Sequence, residues 1–187
     1  MKVIETPLRG LLIVEPGVFN DERGYFFESY QQKRYIEAGI EAEFIQDNES
    51  KSTKGVIRGL HYQLNPYAQA KLVRVVQGAV YDVALDLRKG SPTFGRHFGI
   101  ELSAENKLQL FIPRGFAHGF SVLTDTAIFS YKCDNIYHKE SERSVNINDP
   151  KLKIDWKIEP QFQIVSEKDK VAPLLEGAET NFVYQDK

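Results

Sequence analysis

Cysteine, methionine and tryptophan each occur once in this chain of 187 residues, and the scarcity of thiols is the first constraint. Cys133 alone can neither close an intramolecular disulfide nor build a cysteine metal cluster, which fits a reducing interior. Charge of one sign is lacking as well. With 24 basic and 26 acidic residues the net charge is -2, too little to draw the whole chain to nucleic acid or to an anionic membrane. Any anion must be held by local groups. Long hydrophobic runs are missing: Met1-Lys2-Val3-Ile4-Glu5 does not open the apolar segment of about 7–15 residues that a signal peptide needs. No run approaches the roughly 18 apolar residues of a membrane span. The expectation is a cytoplasmic protein with neither a nucleic acid nor a membrane as partner.

What is present is 42% hydrophobic and 12% aromatic, enough for one well-buried core, so residues 1–187 are expected to form a single domain. Val3-Ile4 and Leu11-Leu12-Ile13-Val14 read as short strands closed by Pro16-Gly17. After the turn Asp21-Glu22-Arg23-Gly24, the aromatic stretch Tyr25 to Tyr30 reads as a strand, and Gln31 to Ala38, ended by Gly39, as a short helix. Glu43 to Ser50 is extended but polar on both parities, which is odd for a core strand. Strands follow at 56–63, 71–77 and 79–87, with a tight Gln77-Gly78 turn between the last two. His97 to Leu102 and Leu108 to Ile112 continue the pattern, and His118 to Leu123 with Ala127 to Cys133 suggest a hairpin around Thr124-Asp125. About ten short strands with almost no helical periodicity argue for an all-β sandwich, jelly roll or barrel.

The chemistry gathers around Gly55-Val56-Ile57-Arg58-Gly59-Leu60-His61-Tyr62-Gln63, with Lys71 opening the next apolar run. Removing a proton next to a carbonyl needs a base with a pKa near working pH, and positive charge where the enolate oxygen develops. An imidazole, a guanidinium and an ammonium meet that need. By strand alternation His61 and Gln63 share one face, as do Lys71, Val73 and Val75, then Val80, Asp82 and Ala84, then Phe129, Tyr131 and Cys133. If these faces line one interior, a His, a Lys, an Asp and a Tyr project into one cavity. Arg58 has the opposite parity to His61, and Gly59 is placed to mark a bulge that re-aims one of them.

Pro113-Arg114-Gly115-Phe116-Ala117-His118 has the spacing Pro-x-Gly-x-x-His, which resembles the second sequence motif of the cupin jelly rolls. The first cupin motif supplies His-x-His and then Glu as metal ligands, whereas here the matching stretch is His61-Tyr62-Gln63, with no Glu before Gly78. His61 and His118 alone fall short of the three or more protein ligands of a catalytic zinc or iron site. The expectation is a cupin without metal or cofactor, its histidine released for base chemistry.

The resemblance then becomes specific. Asp21-Glu22-Arg23-Gly24-Tyr25-Phe26, Gln46-Asp47-Asn48, Arg58 to Gln63, Lys71-Leu72-Val73-Arg74, Asp82 to Arg88, Ser91-Pro92-Thr93-Phe94-Gly95, Ile112 to Phe120 and Ser166-Glu167-Lys168-Asp169 resemble, in this order, the dTDP-4-dehydrorhamnose 3,5-epimerases. The likeness runs from about residue 3 to about residue 176. It implies a cupin-type jelly roll with a few peripheral helices and, as substrate, dTDP-4-dehydro-6-deoxy-D-glucose inverted at C3 and C5. Both protons lost are α to the C4 ketone, so each inversion can pass through an enolate. By position in the family pattern His61 would be the base, Tyr131 the acid across the ring, and Lys71 the cation on the C4 oxygen, with Arg58 and His118 nearby. The acidic partner of His61 would be Asp169 by family position, while parity and nearness in sequence nominate Asp82. Arg23, Glu28, Gln46, Asn48, Glu142 and Lys168 match positions that contact diphosphate, ribose or thymine, and Tyr137 matches a tyrosine that stacks on thymine. The resemblance also implies a homodimer in which an N-terminal segment crosses to the partner, so that Arg23 and Glu28 would serve its site. Relatives that invert C3 or C5 alone, a metal cupin and a non-catalytic sugar-nucleotide binder are the competing readings.

Overall fold

A computed structural model describes residues 1–186. The strands are β1 (Lys2–Glu5), β2 (Leu12–Glu15), β3 (Val18–Asp21), β4 (Gly24–Phe27), β5 (Gln46–Thr53), β6 (Val56–Gln63), β7 (Lys71–Gln77), β8 (Ala79–Asp86), β9 (His97–Ser103), β10 (Gln109–Ile112), β11 (Phe116–Val122), β12 (Thr126–Cys133), β13 (Glu142–Ser144) and β14 (Ile164–Val165). Two short helices, α1 (Gln32–Glu37) and α2 (Glu167–Lys170), flank them. One sheet runs β1-β2-β10-β7-β12-β5 and the other β13-β6-β11-β8-β9, with β14 added to β6. From β5 to β13 successive strands alternate between the two sheets except at the β8–β9 hairpin, which is the jelly-roll path expected of a cupin.

The interior between the sheets is apolar at one end and polar at the other. Val73, Val75, Leu110 and Phe129 from the first sheet meet Val80, Ala84, Leu102, Phe116, Phe120 and Val122 from the second. Phe120 and Phe129 stack at 4.3 Å and 17°, closing off the apolar half. The outer faces are covered too, which is why the strands read as hydrophobic on both parities. Tyr35 of α1 and Ile40 pack with Val14, Leu72 and Phe111, while the C-terminal chain lays Trp156, Leu152 and Phe182 on Ile57, Leu60, Leu85 and Ala117.

Two turns expected from the sequence are corners instead. β7 and β8 do not pair, nor do β11 and β12, because in each case the chain crosses from one sheet to the other. Gly78 sits at the first corner with φ +75°, where a Cβ would collide with the Thr126 carbonyl of the second corner. Thr124 Oγ1 joins them, accepting from Ala79 N at 2.9 Å and donating to Thr126 O at 3.0 Å. A run of alternating apolar residues around a Gly looks alike in a hairpin and in a sandwich corner. The stretch expected as a strand from Tyr25 to Tyr30 is also shorter. It ends at Phe27 and pairs only with β3, in a separate two-stranded ribbon that exposes Phe19, Tyr25 and Phe26. Among the described residues no helix is long and apolar enough to cross a membrane.

Candidate active site

The bulge anticipated at Gly59 is present and organises the site. In the β6–β11 register His118 faces His61 and Phe120 faces Arg58, so two residues of β6 oppose the single Gly119. Gly59 has φ +137°, and a Cβ there would lie 2.5 Å from Gly119 Cα. At Gly119 a Cβ would lie 2.7 Å from Arg58 O. The two glycines therefore let the strands touch, and the extra residue shifts the alternation by one. Leu60 turns outward into the buried layer with Ile57 and Tyr62, while Arg58 and His61 come to the same inner face.

Arg58, His61 and His118 from the second sheet, with Ser50, Lys71, Phe129 and Tyr131 from the first, line one cavity of about 150 Å³. His61 and Tyr131 belong to opposite sheets and so approach the cavity from opposite sides. His61 Nε2 lies 2.6 Å from Asp169 Oδ1. Asp169 is held by α2, whose N-cap Ser166 accepts the Asp169 backbone N–H at 3.2 Å. Burial acts to raise the Asp169 pKa, but hydrogen bonds from His61, Ser166 and the Gly59 backbone outweigh it and hold the carboxyl below its ordinary value. Between the two acids left open by the sequence, His61 pairs with Asp169. Asp82 instead sits behind the wall, where its Oδ2 lies 2.9 Å from His118 Nε2.

Lys71 Nζ lies 5.8 Å from the centroid of the Tyr131 ring. Burial lowers its pKa, while Cys133, Asp82 and Glu142 pull it back up. Burial likewise raises the Tyr131 pKa, reinforced by Cys133 and opposed by Arg58 and by the hydrogen bond with Asn48. The hydroxyl thus stays protonated, fit to donate. Arg58 donates from Nε to Ser52 Oγ at 3.1 Å.

A polar rim adjoins the cavity. Gln46 Nε2 donates to Asn48 Oδ1 at 3.1 Å, and Gln46 Oε1 accepts from Tyr137 N at 3.0 Å. The exposed Tyr137 ring donates its hydroxyl to Glu142 Oε2 at 3.1 Å, and Lys168 Nζ meets that same oxygen at 2.6 Å. Gln63 holds the Tyr137 loop from behind, donating to Tyr67 O and Ile136 O and accepting from His138 N. Arg23 and Glu28 lie elsewhere. Arg23 is at the ribbon tip with its side chain on Asp21 at 2.5 Å, and Glu28 pairs with Arg34 at 2.8 Å. Sequence reasoning passed over Ser50, Ser52 and Phe129 as site residues. Alternation along β5 carried the signal for the two serines, since residues 46, 48, 50 and 52 are the less exposed parity of that strand. Among the described residues no three His, Cys, Asp or Glu side chains converge as a metal-binding group.

The profile of the family described as dTDP-4-dehydrorhamnose 3,5-epimerase matches residues 5–177. A Shigella flexneri protein of that name is 58% identical over 170 residues, covering 90% of this chain and 93% of its own. The crystal structure of a dTDP-6-deoxy-D-glucose-3,5-epimerase from Legionella pneumophila, in complex with dTDP-4-keto-L-rhamnose, superposes with a TM-score of 0.94 at 51% identity, covering 99% of each chain. A 3'-monoepimerase from Streptomyces bikiniensis in complex with dTDP-quinovose superposes with a TM-score of 0.85 at 35% identity, over 91% of this chain and 86% of its own.

Proposed function

The chain belongs to the dTDP-4-dehydrorhamnose 3,5-epimerase family, and from that premise we propose that it inverts C3 and C5 of dTDP-4-dehydro-6-deoxy-D-glucose, through enolates, to give dTDP-4-dehydro-L-rhamnose. One observation carries the mechanism: a carboxylate-bound imidazole and a protonated phenol face each other across a single cavity beside a buried ammonium. With Nε2–H donated to Asp169, His61 Nδ1 is the free lone pair and takes the proton from the carbon α to the ketone. The C–H electron pair becomes the enolate C=C, and the carbonyl pair moves onto the C4 oxygen. Lys71 meets that negative charge, as preorganised donors do at developing oxyanions. The enolate then takes a proton on its other face from the Tyr131 hydroxyl, and the C4 carbonyl re-forms. Asp169 stabilises the imidazolium until its proton, and the phenol's vacancy, are exchanged with solvent. Two such rounds, one at C3 and one at C5, complete the reaction. Proton transfers alone balance it, so this reading uses no cofactor and no metal.

The nucleotide half falls to the rim. Tyr137 offers an exposed ring face for thymine, and Gln46, Asn48, Glu142 and Lys168 offer donors and acceptors for ribose and phosphate. Arg23 and Glu28 complete the site of a second copy when the β3–β4 ribbon crosses in a homodimer. In support, among the described residues the ribbon joins neither sheet of its own chain, and its Phe19, Tyr25 and Phe26 side chains are exposed. A planar guanidinium suits a diphosphate, and the cytoplasm, where sugar nucleotides are made, is the expected compartment.

Deuterium incorporation tests the reaction. Purified protein with dTDP-4-dehydro-6-deoxy-D-glucose in D₂O should exchange at both C3 and C5, followed separately by NMR, and yield a rhamnose product when a 4-keto reductase is added. Exchange at one carbon alone would make the chain a mono-epimerase.

A further inference from the structure

The mechanism leaves a second buried imidazole–carboxylate pair unused. Asp82 on β8 is 0% exposed and its Oδ2 lies 2.9 Å from His118 Nε2. Its Oδ1 is the one fully buried side-chain nitrogen or oxygen without a hydrogen-bond partner among the described residues. A core selected for stability alone would not keep it, because an unpaired carboxylate oxygen in the interior forfeits hydration for nothing. Among the described residues His118 Nδ1 also has no hydrogen-bond partner, yet it is not among the fully buried atoms. It therefore opens on the cavity that His118 lines. The ring is held in that orientation by Phe129, stacked at 5.8 Å and 23°.

We infer that Asp82 is a positioning residue: it fixes His118 in the Nε2–H tautomer, so that Nδ1 presents a lone pair to the cavity and accepts a hydrogen bond from a hydroxyl of the hexose. The identity of the ligand rests on the reaction proposed above, but the tautomer does not. The charged groups facing His118 are Asp82 from β8, Lys71 from β7 and His61 from β6. Burial holds the His118 pKa below its ordinary value, Asp82 opposing and Lys71 and His61 reinforcing, so the ring meets substrate neutral. A neutral imidazole whose only N–H is spent on Asp82 cannot donate to the C4 oxygen, which is left to Lys71. It can only accept. Such a site selects a hydroxyl and disfavours a keto or deoxy carbon at the same place, because those leave the acceptor unpaired.

Long-range ¹H–¹⁵N NMR of the full chain labelled at histidine, near neutral pH, tests this, with the His118 signals assigned by their loss in His118→Asn. The expected result is a protonated Nε2, a bare Nδ1 and a single tautomer, giving way to a mixture in Asp82→Leu. Kinetically, Asp82→Leu should raise KM for the dTDP-sugar about three- to tenfold, the value of one neutral hydrogen bond. Inhibition by dTDP alone should stay as in wild type, a pattern that general loss of structure would not give. Asp82→Asn, which keeps an acceptor for Nε2–H, should restore both the tautomer and KM. A wild-type Nδ1–H tautomer or an imidazolium overturns the inference without any variant having to fold, and so does an unchanged KM where the tautomer has shifted. An Nε2–H tautomer in a protein that exchanges neither C3 nor C5 would leave Asp82 its positioning role and remove the epimerase reading instead.

Discussion

At the scale of single residues, His61 and Lys71 carry the most sharply separable consequences. In the proposed mechanism His61 takes the proton in both inversions, whereas the nucleotide is held by the rim. His61→Ala should therefore lower kcat by about 10²–10⁴, the usual contribution of a positioned base, while dTDP affinity measured by calorimetry stays near wild type. Retained deuterium exchange at either carbon in that variant would assign the base elsewhere. Lys71 must be an ammonium to meet the C4 oxygen, and burial lowers its pKa from 10.5. The charged form is thus lost at a lower pH than in a free lysine, and kcat should fall on the alkaline side below that value. Tyr131, raised above 10.0 by burial, remains an acid through the same range. Lys71→Met should cost about 10²–10³ in kcat. Lys71→Arg should keep part of the rate and move the alkaline limb upward, because a guanidinium does not titrate there; an unmoved limb would assign it to another group.

At the scale of elements, the sites depend on how strands are bent and joined, and this is where sequence and structure part. Strands β6, β7 and β12 were legible almost to the residue, since β-branched and aromatic alternation is a local signal. The glycine bulge was legible as well, because Arg58 and His61 could share a face in no other way. The two corners at Gly78 and Thr124 were not, as whether a turn closes a hairpin or changes sheets depends on partners remote in sequence. The pairing of Asp169 with His61 was legible only through the family resemblance: 108 residues separate them, and strand parity and nearness in sequence pointed to Asp82 instead. The bulge offers its own test. In Gly59→Ala the new Cβ meets Gly119 Cα at 2.5 Å on a backbone with φ +137°, which no side-chain movement relieves. Chemical denaturation should show a loss of roughly 2 kcal/mol or more, as for other strained or overpacked positions. Because the strand must slip or open to accommodate it, kcat should fall further than stability alone explains. A fully stable and active Gly59→Ala would mean that the bulge does not aim His61.

At the scale of the whole molecule, the element that stands apart is the β3–β4 ribbon, which among the described residues hydrogen-bonds to no other strand and displays Phe19 at 70% and Phe26 at 71% exposure. A two-stranded ribbon alone is marginal in water, and exposed aromatics of this size mark interaction sites. Arg23 at its tip is far from needing Asp21: the pair is mostly solvent-exposed, so its contribution to stability is small, and the guanidinium is free to change partners. If the ribbon crosses to a second copy, each site takes His61 from its own chain and Arg23 from its neighbour. That arrangement can be separated from one in which both act within one chain. His61→Ala and Arg23→Ala should each be impaired as homodimers. After unfolding and refolding together, the mixed dimer contains one site with both residues intact, in the subunit that carries Arg23→Ala. Random pairing places half of the chains in mixed dimers with one working site each, so about a quarter of the wild-type activity should return, the count expected of a twofold assembly. Were Arg23 to act on its own chain, every site in the mixture would lack one residue or the other, and no activity beyond that of the two parents would appear.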